Sequence, residues 1–128
     1  MELTLTGIRN PEPWQKAGIG LPTYDVPAAQ KKAVEAPKWV HFGIGNIFRV
    51  FIGGIADGLL ELGLLDRGIT CVETFDYDVV DKIYRPYDNL GLQVILNPDG
   101  TRDVRVLGAF AEAVKAQCTK AAQWARLV

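Results

Sequence analysis

A glycine pair lies between a short apolar run and a long amphipathic segment, and this order limits the folds open to the chain. Residues 39–42, Trp-Val-His-Phe, predict a short buried strand, and Gly43-Ile44-Gly45 follows at once. The next segment predicts a helix over residues 46–65, because its apolar side chains recur every three or four positions. A strand, a glycine turn and a helix in this order are typical of units that bind a dinucleotide pyrophosphate.

The remaining patterns alternate between strand and helix. Residues 69–73 predict a second strand that ends in an acid, and residues 76–84 predict a short helix. Two β-rich runs, 91–96 and 102–107, flank the turn sequence Asn97-Pro98-Asp99-Gly100 and predict a hairpin, one arm of which is a candidate third strand. The segments predicted as later helices are 109–118 and 121–128. The fold class expected is α/β: the N-terminal part of a Rossmann-type parallel sheet, with an inserted β-hairpin and incomplete at the C-terminus.

Three glycines interrupt the long predicted helix, at Gly53, Gly54 and Gly58. Each costs about 1 kcal/mol of helix stability relative to alanine. We therefore expect another part of the backbone to approach the helix closely at these positions.

Proline marks the boundary between two expected domains. Residues 1–37 contain five of the seven prolines and are predicted to form an extended arm with one helical turn near residues 28–35. The arm carries Trp14, Leu21 and Tyr24, which predicts that it packs on the body. Residues 38–128 are then expected to form a partial NAD(P)-binding domain.

Composition excludes several classes of protein. The net charge of −1 argues against a nucleic-acid partner. The apolar run 47–65 contains Arg49, Asp57 and Glu61, so it is not expected to span a membrane, and the first seven residues lack the features of a signal peptide. Cys71 and Cys118 provide neither a disulfide framework nor metal-ligand spacing. A cytoplasmic location is the expectation.

The glycine motif supplies the first candidate site residues. Gly43 would allow the tight turn, and Gly45 would let backbone N–H groups approach a phosphate, together with Asn46 at the start of the helix. Ile47 and Phe48 are expected to shape the pocket. Phe48 also stands where the usual motif has its third glycine.

Charged residues supply the rest of the candidate site. Glu73, 28 positions after Gly45, is the expected ligand of the adenosine ribose, and Asp76 is the other candidate for this role. The alternatives are a solvated strand end for Glu73 and a helix cap for Asp76. Arg49 in the first helical turn opposes the helix dipole, which a nearby phosphate would explain; a surface arginine is the alternative. His41 is expected to be a satisfied core histidine.

Three neighbouring aspartates have the composition of a metal site. Asp76, Asp78 and Asp81 resemble a metal cluster, but the more economical interpretation is the acidic first turn and solvated face of a helix. No metal is therefore predicted.

These residues resemble the mannitol dehydrogenase family of long-chain polyol and hexuronate dehydrogenases. The strongest likeness is the run Gly-Ile-Gly-Asn-Ile-Phe-Arg, residues 43–49. Residues 21–25, Leu-Pro-Thr-Tyr-Asp, resemble the Leu-Pro-x-Tyr-Asp that precedes this domain in the family, and residues 72–78 and the Trp124-x-x-Leu127 segment fit the same region. Phe48 and Phe51 replace histidines of the mannitol branch, so the chain looks closer to the fructuronate-reductase-like branch.

The resemblance implies a cofactor, a reaction and a partner. It implies NAD, with NADP as the alternative, and metal-independent hydride transfer to or from a secondary alcohol of a polyol or hexuronate. The family's catalytic lysine belongs to a later helical domain, so no residue of this chain is assigned to catalysis. That domain or an oligomer partner would complete the protein. Two other hypotheses for the function of the chain remain open: a non-catalytic nucleotide-binding module, and a structural interaction module.

Overall fold

The computed structural model describes residues 1–128 and contains two three-stranded sheets. The helices are α1 (Glu12–Lys16), α2 (Val26–Glu35), α3 (Gly53–Glu61) and α4 (Ala121–Ala125). The strands are β1 (Ile19–Gly20), β2 (Val40–Phe42), β3 (Ile69–Glu73), β4 (Gly91–Leu96), β5 (Arg102–Leu107) and β6 (Phe110–Lys115). None of these helices has the length and hydrophobicity of a membrane-spanning segment.

One of the two sheets is parallel and has the strand order β2-β3-β6. Its central strand β3 is buried along its whole length and has the bounds that the sequence predicted. Parallel strands joined through helices form the first half of a doubly wound sheet, in which the first strand ends at the phosphate-binding turn. The predicted α/β fold with an inserted hairpin is confirmed.

The third strand of this sheet differs from the prediction. Residues 109–118 were expected to form a helix because alanine is the strongest helix former. Instead β6 pairs along β3, and Ala111 and Ala113 are buried beneath α2, which packs on this strand. The hydrogen bonds and burial offered by the sheet outweigh the weak local preference, since helix propensity is readily overridden by tertiary context.

The predicted hairpin forms with the expected bounds but in a different sheet. Strands β4 and β5 pair antiparallel from Gly91↔Leu107 to Leu96↔Arg102, and β5 pairs on its other side with β1 in parallel. Neither arm is therefore the third strand of the parallel sheet, and that prediction was wrong. The hairpin instead lies against the helix that follows the glycine turn, where Gln93 Nε2 donates to Val50 O at 2.7 Å.

The N-terminal arm contains more helix than predicted: α2 extends the helical turn expected at residues 28–35, and α1 forms where an extended segment was expected. Pro13 and Pro27 stand in the first turns of α1 and α2, where a missing N–H leaves no helical hydrogen bond unmade. Asp25 caps α2 by accepting a hydrogen bond from Ala28 N at 3.0 Å. Trp14 is 3% exposed, so the arm contributes to the hydrophobic core.

A buried polar cluster ties the arm to the body. Asp57, on α3, is 1% exposed and accepts hydrogen bonds from Tyr24 Oη at 2.5 Å and from Gly108 N at 2.9 Å. Arg105 Nη2 lies 3.4 Å from its second carboxylate oxygen. Burial raises the pKa of Asp57 despite these three partners, which lower it. Three segments distant in sequence therefore meet at one carboxylate.

The predicted long helix is present but shorter and less regular. Residues 46–61 form what we call the glycine helix, with π-helical Phe48–Ile52 followed by α3. It ends at Glu61, before the predicted Leu65, because Gly63 adopts a left-handed φ of 70° and Leu64 N donates to Leu59 O.

Two of the three helical glycines are in close contact with other elements. A Cβ on Gly53 would lie 2.4 Å from the Phe110 ring, and one on Gly54 would lie 2.4 Å from Gln93 Nε2. The neighbours are side chains rather than the predicted backbone, and a Cβ on Gly58 would meet nothing within 4 Å. Close packing thus explains Gly53 and Gly54 and leaves Gly58 unexplained.

Alanine substitutions at two of these positions should have opposite effects. We expect Gly53→Ala to lower the free energy of unfolding by about 1–3 kcal/mol, because the added methyl overpacks against Phe110. Gly58→Ala should raise it by about 0.4–1 kcal/mol, because the methyl has room and the unfolded chain loses freedom. Urea unfolding of the two variants measures the difference, and equal effects would contradict this account.

Strand β2 is more exposed than predicted. It pairs only with β3, so its other edge is open, and Val40 and Phe42 are 43% and 54% exposed. His41 is half-buried: its ring lies 4.4 Å from that of Phe48, and its Nδ1 lies 3.1 Å from Gly43 O. The strand was predicted to be buried because its residues are apolar, but burial also needs a neighbour on each side.

Candidate nucleotide-binding site

The glycine turn, residues 43–45, connects β2 to the glycine helix at the carboxyl end of the parallel sheet. Gly43 has a φ of 90°, a conformation that favours glycine, and its N–H donates to Val72 O at 2.8 Å. A Cβ on Gly43 or on Gly45 would meet no atom within 4 Å. The outer surface of the turn is therefore open, and an incoming group could approach its backbone.

Backbone donors converge beside this open surface. The N–H groups of Gly45, Asn46, Ile47 and Phe48 donate to no acceptor in the chain, as is usual for the start of a helix. Together with the partial positive charge of the helix dipole, such donors favour an anion. The turn thus combines an open outer surface with unpaired N–H donors, two features that favour an anionic ligand.

Arg49 folds back over the turn instead of extending into solvent. Its Nη1 donates to Ile44 O at 3.1 Å, its Nη2 donates to Asn46 Oδ1, and its guanidinium carbon lies 5.7 Å from the centre of the Tyr84 ring. A cation is thereby held within one helical turn of the free N–H groups, where it adds to the positive potential of the site. The alternative of an unattached surface arginine does not describe this side chain.

Glu73 ends β3 directly beside the glycine turn. Its side chain is buried at 6% exposure, and Oε1 accepts hydrogen bonds from Thr74 N and Phe75 N, each at 3.1 Å. Its other oxygen, Oε2, has a single long contact of 3.5 Å, to Ile44 N. Glu73 is therefore not a solvated strand end, and Oε2 keeps capacity to accept a further hydrogen bond.

Asp76 lies on the far side of a cleft of about 400 Å³ from Asn46 and Arg49. Its side chain is exposed and does not cap the helical segment that follows, so the predicted capping role was wrong. Lys82 lines the same cleft and pairs with Asp78 at 3.1 Å. The cleft thus lies between the start of the glycine helix and the segment after β3.

The neighbouring aspartates are engaged with cations of the protein. Asp81 pairs with Arg85 at 3.0 Å and accepts a hydrogen bond from Lys115, which lowers its pKa. No group of three or more His, Cys, Asp or Glu side chains is arranged to hold a metal ion.

Ile47 and Phe48 point in different directions. Ile47 is 82% exposed beside the turn, whereas Phe48 is 5% exposed and packs against His41 and Phe110. Phe48, in the position of the usual third glycine, is thus a core residue, and its burial gives it no surface on the cleft. Of the eight candidate residues, the structure gathers the other seven around the glycine turn and the adjacent cleft: Gly43, Gly45, Asn46, Ile47, Arg49, Glu73 and Asp76.

The sequence did not indicate Tyr84 as part of this region. Tyr84 is 1% exposed, and its hydroxyl donates to Ile44 O at 2.9 Å. It is 40 residues away from Ile44 in the chain, and no motif connects the two positions. Only folding brings its hydroxyl to the glycine turn.

Comparisons with known proteins give this chain a relative and two structural neighbours. No protein-family model matches the chain. It is 44% identical over 115 residues to a D-mannonate oxidoreductase of Thermotoga maritima, an alignment that covers 90% of this chain and 21% of that protein.

Solved structures show the same fold. A D-sorbitol dehydrogenase in substrate-free form matches with a TM-score of 0.71 and 28% identity, over 91% of this chain and 22% of that one. A Pseudomonas fluorescens mannitol 2-dehydrogenase, solved as a ternary complex with NAD and D-mannitol, matches with a TM-score of 0.69 and 21% identity, over 90% of this chain and 22% of that one. The chain thus spans about a fifth of the length of these relatives, and its resemblance to the mannitol dehydrogenase family is confirmed.

Proposed function

We propose that the chain is the NAD-binding part of an oxidoreductase that transfers hydride between a nicotinamide ring and a secondary alcohol of a polyol or hexuronate. The open glycine turn carries this proposal, because four N–H groups at the start of the glycine helix have no acceptor in the chain and a Cβ on Gly43 or Gly45 would meet no atom within 4 Å. The names of the mannonate, sorbitol and mannitol enzymes support the reaction and the substrate class.

The residues of the turn fit a pyrophosphate. Gly43 and Gly45 carry no side chain that would obstruct an approaching phosphate, and the N–H groups of residues 45–48 would donate hydrogen bonds to it. Arg49 would contribute its charge after releasing Asn46 Oδ1. Ile47, exposed beside the turn, would offer an apolar contact.

Glu73 is proposed to bind the adenosine ribose through Oε2, whose only contact is the long one to Ile44 N. A carboxylate there accepts hydrogen bonds from ribose hydroxyls and repels a 2′-phosphate, so we propose NAD as the cofactor and NADP as the weaker ligand. Asp76, across the cleft, is the alternative ribose ligand. Bound NAD would supply the hydride acceptor or donor, while these residues bind and orient it.

Calorimetric titration of the chain with NAD and NADP tests this function. We expect the wild-type chain to bind NAD more tightly than NADP. Glu73→Gln should weaken NAD binding about 10- to 100-fold, as expected for a hydrogen bond to a charged group, and should reduce the preference for NAD over NADP.

Asp76→Asn is the matched control, because it removes the other candidate carboxylate while the glycine turn is unchanged. A larger effect of Asp76→Asn would assign the ribose to Asp76. A folded wild-type chain that binds neither dinucleotide at millimolar concentration would contradict the proposed function.

The remaining expectations from the sequence stay proposals. These are a cytoplasmic location, the division into residues 1–37 and 38–128, a catalytic lysine outside this chain, and a helical domain or a second subunit that completes the enzyme.

A further inference from the structure

Ile44 lies between the two glycines, and both its backbone carbonyl and its backbone N–H contact side chains. Its carbonyl accepts hydrogen bonds from Tyr84 Oη at 2.9 Å and from Arg49 Nη1 at 3.1 Å, and its N–H contacts Glu73 Oε2 at 3.5 Å. Its side chain is fully buried. The residue that sets the path of the glycine turn is therefore fixed by three side chains from three different segments.

We propose that Tyr84 is a positioning residue for the dinucleotide site, where its hydroxyl holds the glycine turn and its ring holds the Arg49 guanidinium over that turn. The inference rests on the proposed function and adds a residue that the glycine motif does not contain. Tyr84 would not touch the dinucleotide, and it acts through Ile44 and Arg49.

The position of Tyr84 is itself determined by the core. It lies on the π-helical segment Val80–Tyr84, is 1% exposed, and meets the Phe110 ring edge-on at a centroid distance of 5.7 Å. A buried hydroxyl needs a partner, because leaving it unpaired costs more than the bond itself contributes. The Ile44 carbonyl is the one acceptor that Tyr84 has, so the core and the turn are joined through this bond.

The ring of Tyr84 adds a second interaction. Arg49 lies with its guanidinium carbon 5.7 Å from the ring centre, within the range of a cation–π contact. An arginine in the first turn of a helix is disfavoured by the helix dipole. The ring and the Ile44 carbonyl offset that cost and keep the charge where a phosphate would arrive, instead of leaving the long side chain in solvent.

The hydroxyl remains a donor over the physiological pH range. Burial raises the pKa of Tyr84 above its ordinary value, so the phenol stays protonated. The bond to Ile44 is therefore a fixed feature of the turn rather than a titrating one.

Tyr84→Phe is the direct test, because it keeps the ring and removes only the hydroxyl. In the free protein we expect the carbonyl ¹³C resonance of Ile44 and the amide resonance of Gly45 to shift. NAD should bind roughly 2- to 12-fold more weakly, as expected for the loss of one neutral hydrogen bond. Tyr87→Phe is the control: Tyr87 is 41% exposed with no hydrogen bond from its hydroxyl, so both readouts should be unchanged.

A double-mutant cycle separates positioning from general destabilisation. If Tyr84 acts partly through Arg49, Tyr84→Leu should weaken NAD binding less in an Arg49→Gln background than in the wild type. A general loss of stability would give the same factor in both backgrounds.

Two further outcomes would overturn the inference, and they can be told apart. If the wild type binds NAD and Tyr84→Phe changes neither the Ile44 resonance nor the affinity, the positioning role is wrong while the proposed function stands. If the wild type does not bind NAD, the proposed function fails and this role fails with it.

Discussion

Asp57→Ala is expected to lower the free energy of unfolding by about 3–5 kcal/mol, the cost of breaking a buried charged pair from one side. Asp57 is 1% exposed, and its removal would leave Tyr24 Oη and Gly108 N without an acceptor and Arg105 without a counter-charge. A whole domain is stable by only about 5–15 kcal/mol. The loss would therefore be a large fraction of the total, and urea unfolding followed by circular dichroism measures it.

Asp66→Ala is the control for this experiment. Asp66 is also an aspartate with cationic partners, Lys32 and Arg67, but it lies at the surface, and its hydrogen bond from Arg67 holds its pKa below the ordinary range. Surface ion pairs contribute little to stability, so its unfolding midpoint should stay close to that of the wild type. Equal midpoints for Asp57→Ala and Asp66→Ala would show that the buried cluster does not hold the arm to the body.

Gly45→Val is expected to weaken NAD binding by about 1.5–3 kcal/mol, or roughly 10- to 150-fold. The φ of Gly45 is not positive and a Cβ at this position would face open space, so the substitution fits the free protein. The same space is where a phosphate would have to sit to reach the N–H groups of residues 45–48. The valine side chain would block that approach and remove at least one hydrogen bond to a charged group.

Gly58→Val provides the matched control, because a Cβ there also meets nothing within 4 Å but lies more than about three helical turns from Gly45. Both variants should remain folded, and only Gly45→Val should lose NAD affinity in calorimetric titration. Undiminished NAD binding by Gly45→Val would remove the glycine turn from the cofactor site.

Local sequence patterns predicted the first and last residues of some elements correctly. Strand β3 and both hairpin strands have the expected bounds, because each combines a run of β-favouring residues with clear turn residues at its ends. The same reasoning failed for β6, whose alanines favour a helix while its place beside β3 requires a strand. It failed in part for the arm, where Pro13 and Pro27 stand in the first turns of α1 and α2 and only the second of these helices was expected.

Part of the candidate site was also predicted from local sequence patterns. Glycines and acids at fixed positions around a strand–turn–helix unit can be recognised in the sequence. The structure places one of these acids beside the turn, with Glu73 Oε2 3.5 Å from Ile44 N. Phe48 was expected at the pocket and lies in the core, since a sequence position beside a motif does not give the direction of a side chain. Tyr84 was not predicted at all, because its contact with Ile44 spans 40 residues.

The sequence by itself determined the glycine turn, the central strand with its terminal Glu73, and the likeness to polyol and hexuronate dehydrogenases, because these depend on residues near one another in the chain. Only the tertiary structure decided that β6 completes the parallel sheet, that the hairpin forms a second sheet with β1, and that Tyr84 and Arg49 meet over Ile44. The physical reason is that sheet pairing, core packing and the satisfaction of buried polar groups join distant segments, and their combined free energy exceeds the small local preferences that a sequence displays.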